Sequence, residues 1–257
     1  MMEASLSKAV ETMRQEISAI SELYSFLLYG SVVLNDFRLG WSDVDFIAFT
    51  KDTITETQAA RLLTLRQTLS LRHPEDPYYR CFEGVIVSLR EYLTGEYTRL
   101  IYWGTSGQRI TDRCRIDPFT RYELVNCSSA VLDDNRTLFT SPTKEELVAA
   151  VREHYRGIRT CAVQTDDSLY SCGWILDIAR CIRTLRCFDV IGKTQAGEWA
   201  LSERLFADEG PLKRTLEIRR SPLQYKDDAT VKAWLRSLGP TVQQYADVLE
   251  RELARFS

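Results

Sequence analysis

Apolar positions fall along the chain in two textures, and the change between them sets the expected architecture. In the first half the period differs from segment to segment. Residues 6–24 carry Ala9, Met13, Ile17, Ile20 and Leu23 at helical spacing and predict an amphipathic helix. Residues 24–29 form a short apolar run that stops at Gly30, as a buried strand does, and residues 31–39 read as a loop or a short helix. Residues 44–50 predict a second strand, with Phe46 and Ala48 on the face opposite Asp45, Ile47 and Phe49. A helix is expected over 55–71 and a third strand of strong β type over 82–89. After Asn135 the pattern turns helical throughout. Ser141-Pro142-Thr143-Lys144-Glu145 offers a hydroxyl cap followed by an acidic first turn. Helices are expected at 143–165, 168–188, 193–207, 211–220 and 229–255, with Gly192 and Gly210-Pro211 as breaks. The expected fold is therefore α+β: an N-terminal α/β domain over residues 1–140 and a C-terminal helical bundle over 141–257.

Composition narrows the partners. The 257 residues, 44% hydrophobic and 27% charged, suffice for one large or two modest cores in a globular protein. A net charge of −3 lacks the basic bias of proteins that grip nucleic acid and suits a cationic small molecule. Seven cysteines, an odd number with no C-x-x-C pair, and no secretory apolar region in residues 1–14 point to reduced thiols and a cytoplasmic location. No apolar run approaches the roughly 18 residues of a membrane span. With two histidines, His73 and His154, neither a histidine-based zinc site nor a Ser-His-Asp triad has support.

The most informative stretch runs from Leu28 to Thr50. Gly30-Ser31 is followed, after eleven intervening residues, by Asp43-Val44-Asp45. A glycine permits a sharp turn after a strand, and the serine adds a hydroxyl and an N–H that can face a phosphate. Asp43 and Asp45, two apart on an extended segment, point to one side. Carboxylates packed this closely repel unless a cation lies between them, and hard oxygen ligands favour Mg²⁺. Glu83 opens the otherwise apolar run Phe82-Glu83-Gly84-Val85-Ile86-Val87, where a charge is costly unless paired or metal-bound. If the third strand lies beside the second, Glu83 meets the two aspartates, as a third ligand or as the acceptor of a hydroxyl proton.

Leu28-Tyr29-Gly30-Ser31 … Ser42-Asp43-Val44-Asp45 resembles the signature of the nucleotidyltransferase superfamily related to DNA polymerase β. Within it the chain most resembles the aminoglycoside adenylyltransferases that modify streptomycin and spectinomycin. The segment Ile178-Ala179-Arg180 … Gly192-Lys193 … Ala196-Gly197-Glu198-Trp199-Ala200 is similar to that family's helical domain. The resemblance spans roughly residues 25–225 and implies a magnesium-dependent transfer of AMP from ATP to a hydroxyl of an aminoglycoside, an antibiotic-resistance activity. It implies that Gly30 and Ser31 contact phosphate, Asp43 and Asp45 hold metal, Glu83 is the catalytic base, and Arg180 and Lys193 bind the ATP phosphates across a cleft. Tyr225 is a further candidate beside the nucleotide. Where the family carries an acid before the arginine-bearing helix, this chain has Tyr170; Asp166 and Asp167 lie close by and are candidate contacts for a cationic drug. They suit a helix N-terminal turn equally well. Trp103 and Trp174 are candidates to line the drug site or to fill the core. A monomer is expected. Open alternatives are an enzyme acting on a lincosamide or another small molecule, a nucleotidyltransferase-fold protein acting on a protein partner, and a nucleotide-tailing polymerase. The long helical half disfavours the second of these, and the acidic charge disfavours the third.

Overall fold

The computed structural model describes residues 2–104 and 107–256. The chain forms two compact units. The first comprises Met1–Phe37, Ser42–Ile116 and Glu123–Thr140; the second comprises Arg38–Trp41, Asp117–Tyr122 and Ser141–Ser257. The two short excursions of the N-terminal half into the second unit have no counterpart in a contiguous division of the sequence.

In the N-terminal half, α1 (Ala4–Ile20) leads into β1 (Leu23–Tyr29), and then come β2 (Val44–Thr50), α2 (Glu56–Arg72), β3 (Phe82–Ser88), α3 (Leu89–Thr94), β4 (Leu100–Gly104), β5 (Gly107–Thr111), α4 (Pro118–Asn126), whose first residues count with the second unit, and β6 (Ser129–Leu132). The sheet order is β5-β4-β3-β2-β1-β6. β2 and β3 are parallel and the other neighbours antiparallel. A parallel pair needs a crossover, and α2 supplies it. Thr55 starts that helix with a reciprocal cap: its side chain accepts from Gln58 N, and the Gln58 side chain accepts from Thr55 N. β2 is flanked on both sides and is buried along most of its length, which explains its near-continuous apolar run. Phe26 and Phe46 stack with centroids 5.1 Å apart, and Trp103 meets Phe46 edge-on at 5.5 Å.

The structure corrects several sequence boundaries. The first helix ends at Ile20, so Leu23 and Tyr24 belong to β1. Three strands, β4 to β6, and two helices, α3 and α4, lie in the stretch from Leu89 to Leu132 that carries no clear periodicity. β5 is a short, largely exposed edge strand, so burial imposes no alternation on it.

The second unit holds α5 (Lys144–Cys161), α6 (Tyr170–Cys187), α7 (Lys193–Ser202), α8 (Gly210–Arg220), α9 (Pro222–Tyr225), α10 (Ala229–Arg236) and α11 (Gly239–Leu253). α5 begins with a second reciprocal cap, Thr143 with Glu146. α6 packs against α5, α7, α8, α10 and α11. Most of its residues are buried; Trp174, Asp177, Arg180 and Arg183 are partly open and follow at helical spacing, while Tyr170, Arg186 and Cys187 at its two ends are exposed. The helix expected over 229–255 is two helices, divided at Leu238 by Gly239-Pro240. Proline lacks the N–H that would continue a helix across that point. No helix among the described residues is long and apolar enough to cross a membrane.

Candidate active site

The acidic residues come together through strand register. β2 and β3 run parallel with Asp45 opposite Glu83, and β1 places Tyr29 on the other side of Asp45. Directly paired residues share a sheet face, so Asp45 and Glu83 stand side by side. Asp43 precedes β2 by one residue, and both aspartates are partly buried. Among the described residues no group of three or more His, Cys, Asp or Glu side chains is gathered closely enough to hold a metal ion; the three acids share a region of the sheet without forming a closed cluster.

The turn after β1 packs on this group. Gly30 has φ +67°, and a Cβ built there would lie 2.2 Å from Asp45 Oδ2. Ser31 Oγ donates to Asp43 O at 3.2 Å and so ties the turn to the start of β2. Glycine meets both demands, the left-handed backbone and the close approach. Gly30→Ala is expected to lower stability by about 1–3 kcal/mol and to push the Asp45 carboxylate aside. Urea unfolding measures the first effect, and an alanine variant as stable as the parent would show that the turn relaxes without strain.

Two residues that the sequence did not single out join the acids. Tyr102 on β4 donates its hydroxyl to Glu83 Oε1 at 3.2 Å, and the Arg109 guanidinium lies 4.1 Å over the Tyr102 ring. Burial, then the charge of Glu83, holds the Tyr102 hydroxyl above its ordinary pKa and keeps it a donor. On α2, Arg66 donates to Phe82 O at 2.7 Å. Burial lowers the pKa of its guanidinium, and the nearby negative charges of Glu83 and Asp43 oppose that shift. No sequence period marks Arg66, since it becomes relevant only when α2 packs beside β3.

In the second unit Arg180 on α6 and Lys193 at the start of α7 meet at one carboxylate. Lys193 Nζ lies 3.0 Å from Asp177 Oδ1, and Arg180 Nη2 lies 3.3 Å from the same oxygen. The side chain of Asp177 is 17% exposed. Burial opposes its ionisation, but Lys193 and Arg180 outweigh that and hold its pKa below the usual carboxylate range. A signal for Asp177 was present: it is a charge inside the apolar run Trp174-Ile175-Leu176-Asp177-Ile178-Ala179, which calls for a partner. His154 on α5 belongs to the same group. Burial first, then the positive charge of Arg180, lowers its pKa, and its ring packs 5.0 Å from that of Phe119. A histidine kept neutral in the fold but free to protonate when unfolded makes the unfolded chain bind more protons below its ordinary value of 6.5. Stability is therefore expected to fall as pH drops below that value. Urea titrations at pH 7.5 and 5.5 test this, with His154→Gln expected to show the smaller difference between them.

The remaining candidates are placed as follows. Asp166 Oδ1 accepts from Ser168 N, Ser168 Oγ and Ser171 Oγ, and these bonds lower its pKa; it organises the turn before α6. Asp167 pairs with Arg236 at 2.5 Å. Tyr170 is 56% exposed, and Trp174 packs against the core of the helical unit with part of its ring open. Tyr225 donates to Glu217 Oε1 at 2.7 Å beneath the guanidinium of Arg214. Trp103 is corrected to a core residue: it is 0% exposed, and its Nε1 donates to Leu62 O at 3.2 Å. A side chain with no surface and a satisfied N–H has nothing to offer a ligand.

No protein-family profile matches the chain, and no curated protein sequence does. Among solved structures, the fold matches that of the spectinomycin adenyltransferase AAD(9) from Enterococcus faecialis with ATP and spectinomycin. The match covers 95% of this chain and 98% of that one, at a TM-score of 0.56 and 14% sequence identity. At that identity the likeness establishes a common fold over most of both chains.

Proposed function

From a fold shared with a spectinomycin adenyltransferase, we propose that this chain is an adenylyltransferase of the aminoglycoside-modifying type, moving AMP from ATP to a hydroxyl of a small cationic acceptor. The observation that carries this reading is the register that sets Asp45 beside Glu83, with the Gly30-Ser31 turn packed against Asp45. Asp43, Asp45 and Glu83 offer oxygen donors only, which suits magnesium. Like charges side by side on one sheet face repel, and a divalent cation offsets that repulsion. The ion would be held by Asp43 and Asp45, and when bound it would supply positive charge for the triphosphate.

The chain's own groups then do the following. Ser31 presents a hydroxyl and a backbone N–H to phosphate oxygens. Arg180 gives the triphosphate a planar fork and Lys193 a compact charge. Glu83 accepts the proton of the acceptor hydroxyl as its oxygen bonds to the α-phosphorus and the bond to pyrophosphate breaks. No cysteine or histidine is used as a nucleophile, so transfer is direct. Asp166, Asp167, Tyr170 and Trp174 cluster in sequence around the start of α6, and there the carboxylates are the candidates for ammonium groups of the acceptor. The spectinomycin bound in the structural neighbour supports an aminoglycoside-like acceptor.

The test is incubation of the pure protein with ATP, magnesium and a panel of aminoglycosides, aminocyclitols and lincosamides, with mass spectrometry for an added AMP. AMP on a drug supports the proposal. Label from ATP appearing on protein in a lysate, with no drug modified, would replace it with the reading in which the acceptor is a protein.

A further inference from the structure

Tyr102 is held in an unusually defined position on the sheet face that carries the acids. Its register partner on β3 is Val85, two residues beyond Glu83 on the same face. From there the phenol reaches back along β3 to Glu83 Oε1 at 3.2 Å. Two neighbours account for that reach. Arg109, the residue opposite on β5, covers the ring at 4.1 Å. Gly104, two residues along β4 and on the same face, leaves the space into which the phenol folds. A Cβ at Gly104 would stand 2.4 Å from Tyr102 Oη and Cε1 and 2.6 Å from Cζ. Contacts that short do not occur between real atoms, so any side chain at 104 would drive the phenol away from Glu83.

We propose that Tyr102 is a positioning residue for Glu83, fixing the plane of its carboxylate for proton transfer, and that Gly104 is glycine so that this phenol can reach it. The proposal rests on Glu83 being the base, as set out above. A glutamate side chain has three rotatable torsions, and freezing them costs free energy at every turnover unless the fold has already done so. One hydrogen bond from a half-buried phenol does this without adding charge.

The experiment compares the full-length parent chain, Tyr102→Phe, Gly104→Ala, the double variant and Glu83→Gln. It measures kcat and KM for AMP transfer, ATP–Mg²⁺ affinity by calorimetry and thermal unfolding. Loss of a single hydrogen bond predicts about a tenfold lower kcat in Tyr102→Phe, with ATP affinity and melting unchanged. Gly104→Ala is expected to lose kcat to a similar degree, and the double variant to be no slower than the worse single one, because both act through one contact. Parent-like kcat in Tyr102→Phe overturns the proposal, as does a loss of ATP affinity matching the loss of kcat. If Gly104→Ala fails to fold, Tyr102→Phe still decides, since it removes one oxygen and keeps the ring. Should the parent transfer no AMP to any acceptor, or Glu83→Gln keep full activity, the role of Glu83 falls and this inference with it. An active parent, an inactive Glu83→Gln and an unimpaired Tyr102→Phe would overturn the role of Tyr102 alone.

Discussion

Glu83→Gln is expected to abolish AMP transfer, with kcat down by about 10²- to 10⁴-fold, while ATP–Mg²⁺ still binds. The substitution keeps the size of the side chain and its ability to accept from Tyr102, so fold and packing are preserved. It removes the one property that matters here, a basic oxygen able to take a proton as the acceptor hydroxyl attacks. The geometry makes the expectation sharp. Glu83 stands at the start of β3, beside Asp45 in strand register, and one of its oxygens is already engaged by the Tyr102 hydroxyl. Asp43 and Asp45 are untouched by the change and, on the proposed reading, would still hold the cation and, with it, the nucleotide. Single-turnover transfer to a confirmed acceptor gives the rate, and calorimetry with ATP and magnesium gives the binding. Full activity in the glutamine variant would remove Glu83 from the mechanism. Loss of nucleotide affinity in step with rate would make it chiefly a metal ligand.

Lys193→Ala is expected to weaken ATP binding about thirtyfold or more, with melting affected far less. Lys193 is the first residue of α7, so its ammonium adds to the partial positive charge of a helix N-terminus. Asp177 holds it at 3.0 Å and holds Arg180 at 3.3 Å, so two cations are fixed in place before any phosphate arrives. Truncating one partner of a hydrogen-bonded charge pair costs about 2–5 kcal/mol, and 2 kcal/mol is roughly thirtyfold in affinity. Arg180 stays behind as the counter-charge of Asp177, which limits the damage to the fold. Lys193→Arg keeps the charge but changes its geometry and should recover part of the affinity. Unchanged ATP affinity in Lys193→Ala would take the triphosphate away from this pair of cations.

What the sequence by itself determined is local. The short apolar run of residues 44–50 put Asp45 on a strand, the Gly30-Ser31 break after an apolar run marked a turn, and the hydroxyl-and-acid start at Thr143 marked the start of the helical half. Each of these is decided by neighbours within a few positions, through backbone sterics, capping and side-chain alternation. The acid at 83 was legible as a charge in an apolar run, but its place beside Asp45 depended on β3 pairing parallel with β2 across α2. The tertiary structure alone decided what each isolated polar or aromatic residue meets. It gave Asp177 two cations from separate helices, gave Glu83 the phenol of Tyr102, and turned Trp103 into core. The short strands between Leu89 and Leu132 were equally beyond the sequence, because β5 has little burial to impress a period on it and β4 draws its partners from β3 and β5. Periodicity records which side of an element is buried, whereas the identity of a partner is set by packing between segments far apart in the chain, and that leaves no periodic trace.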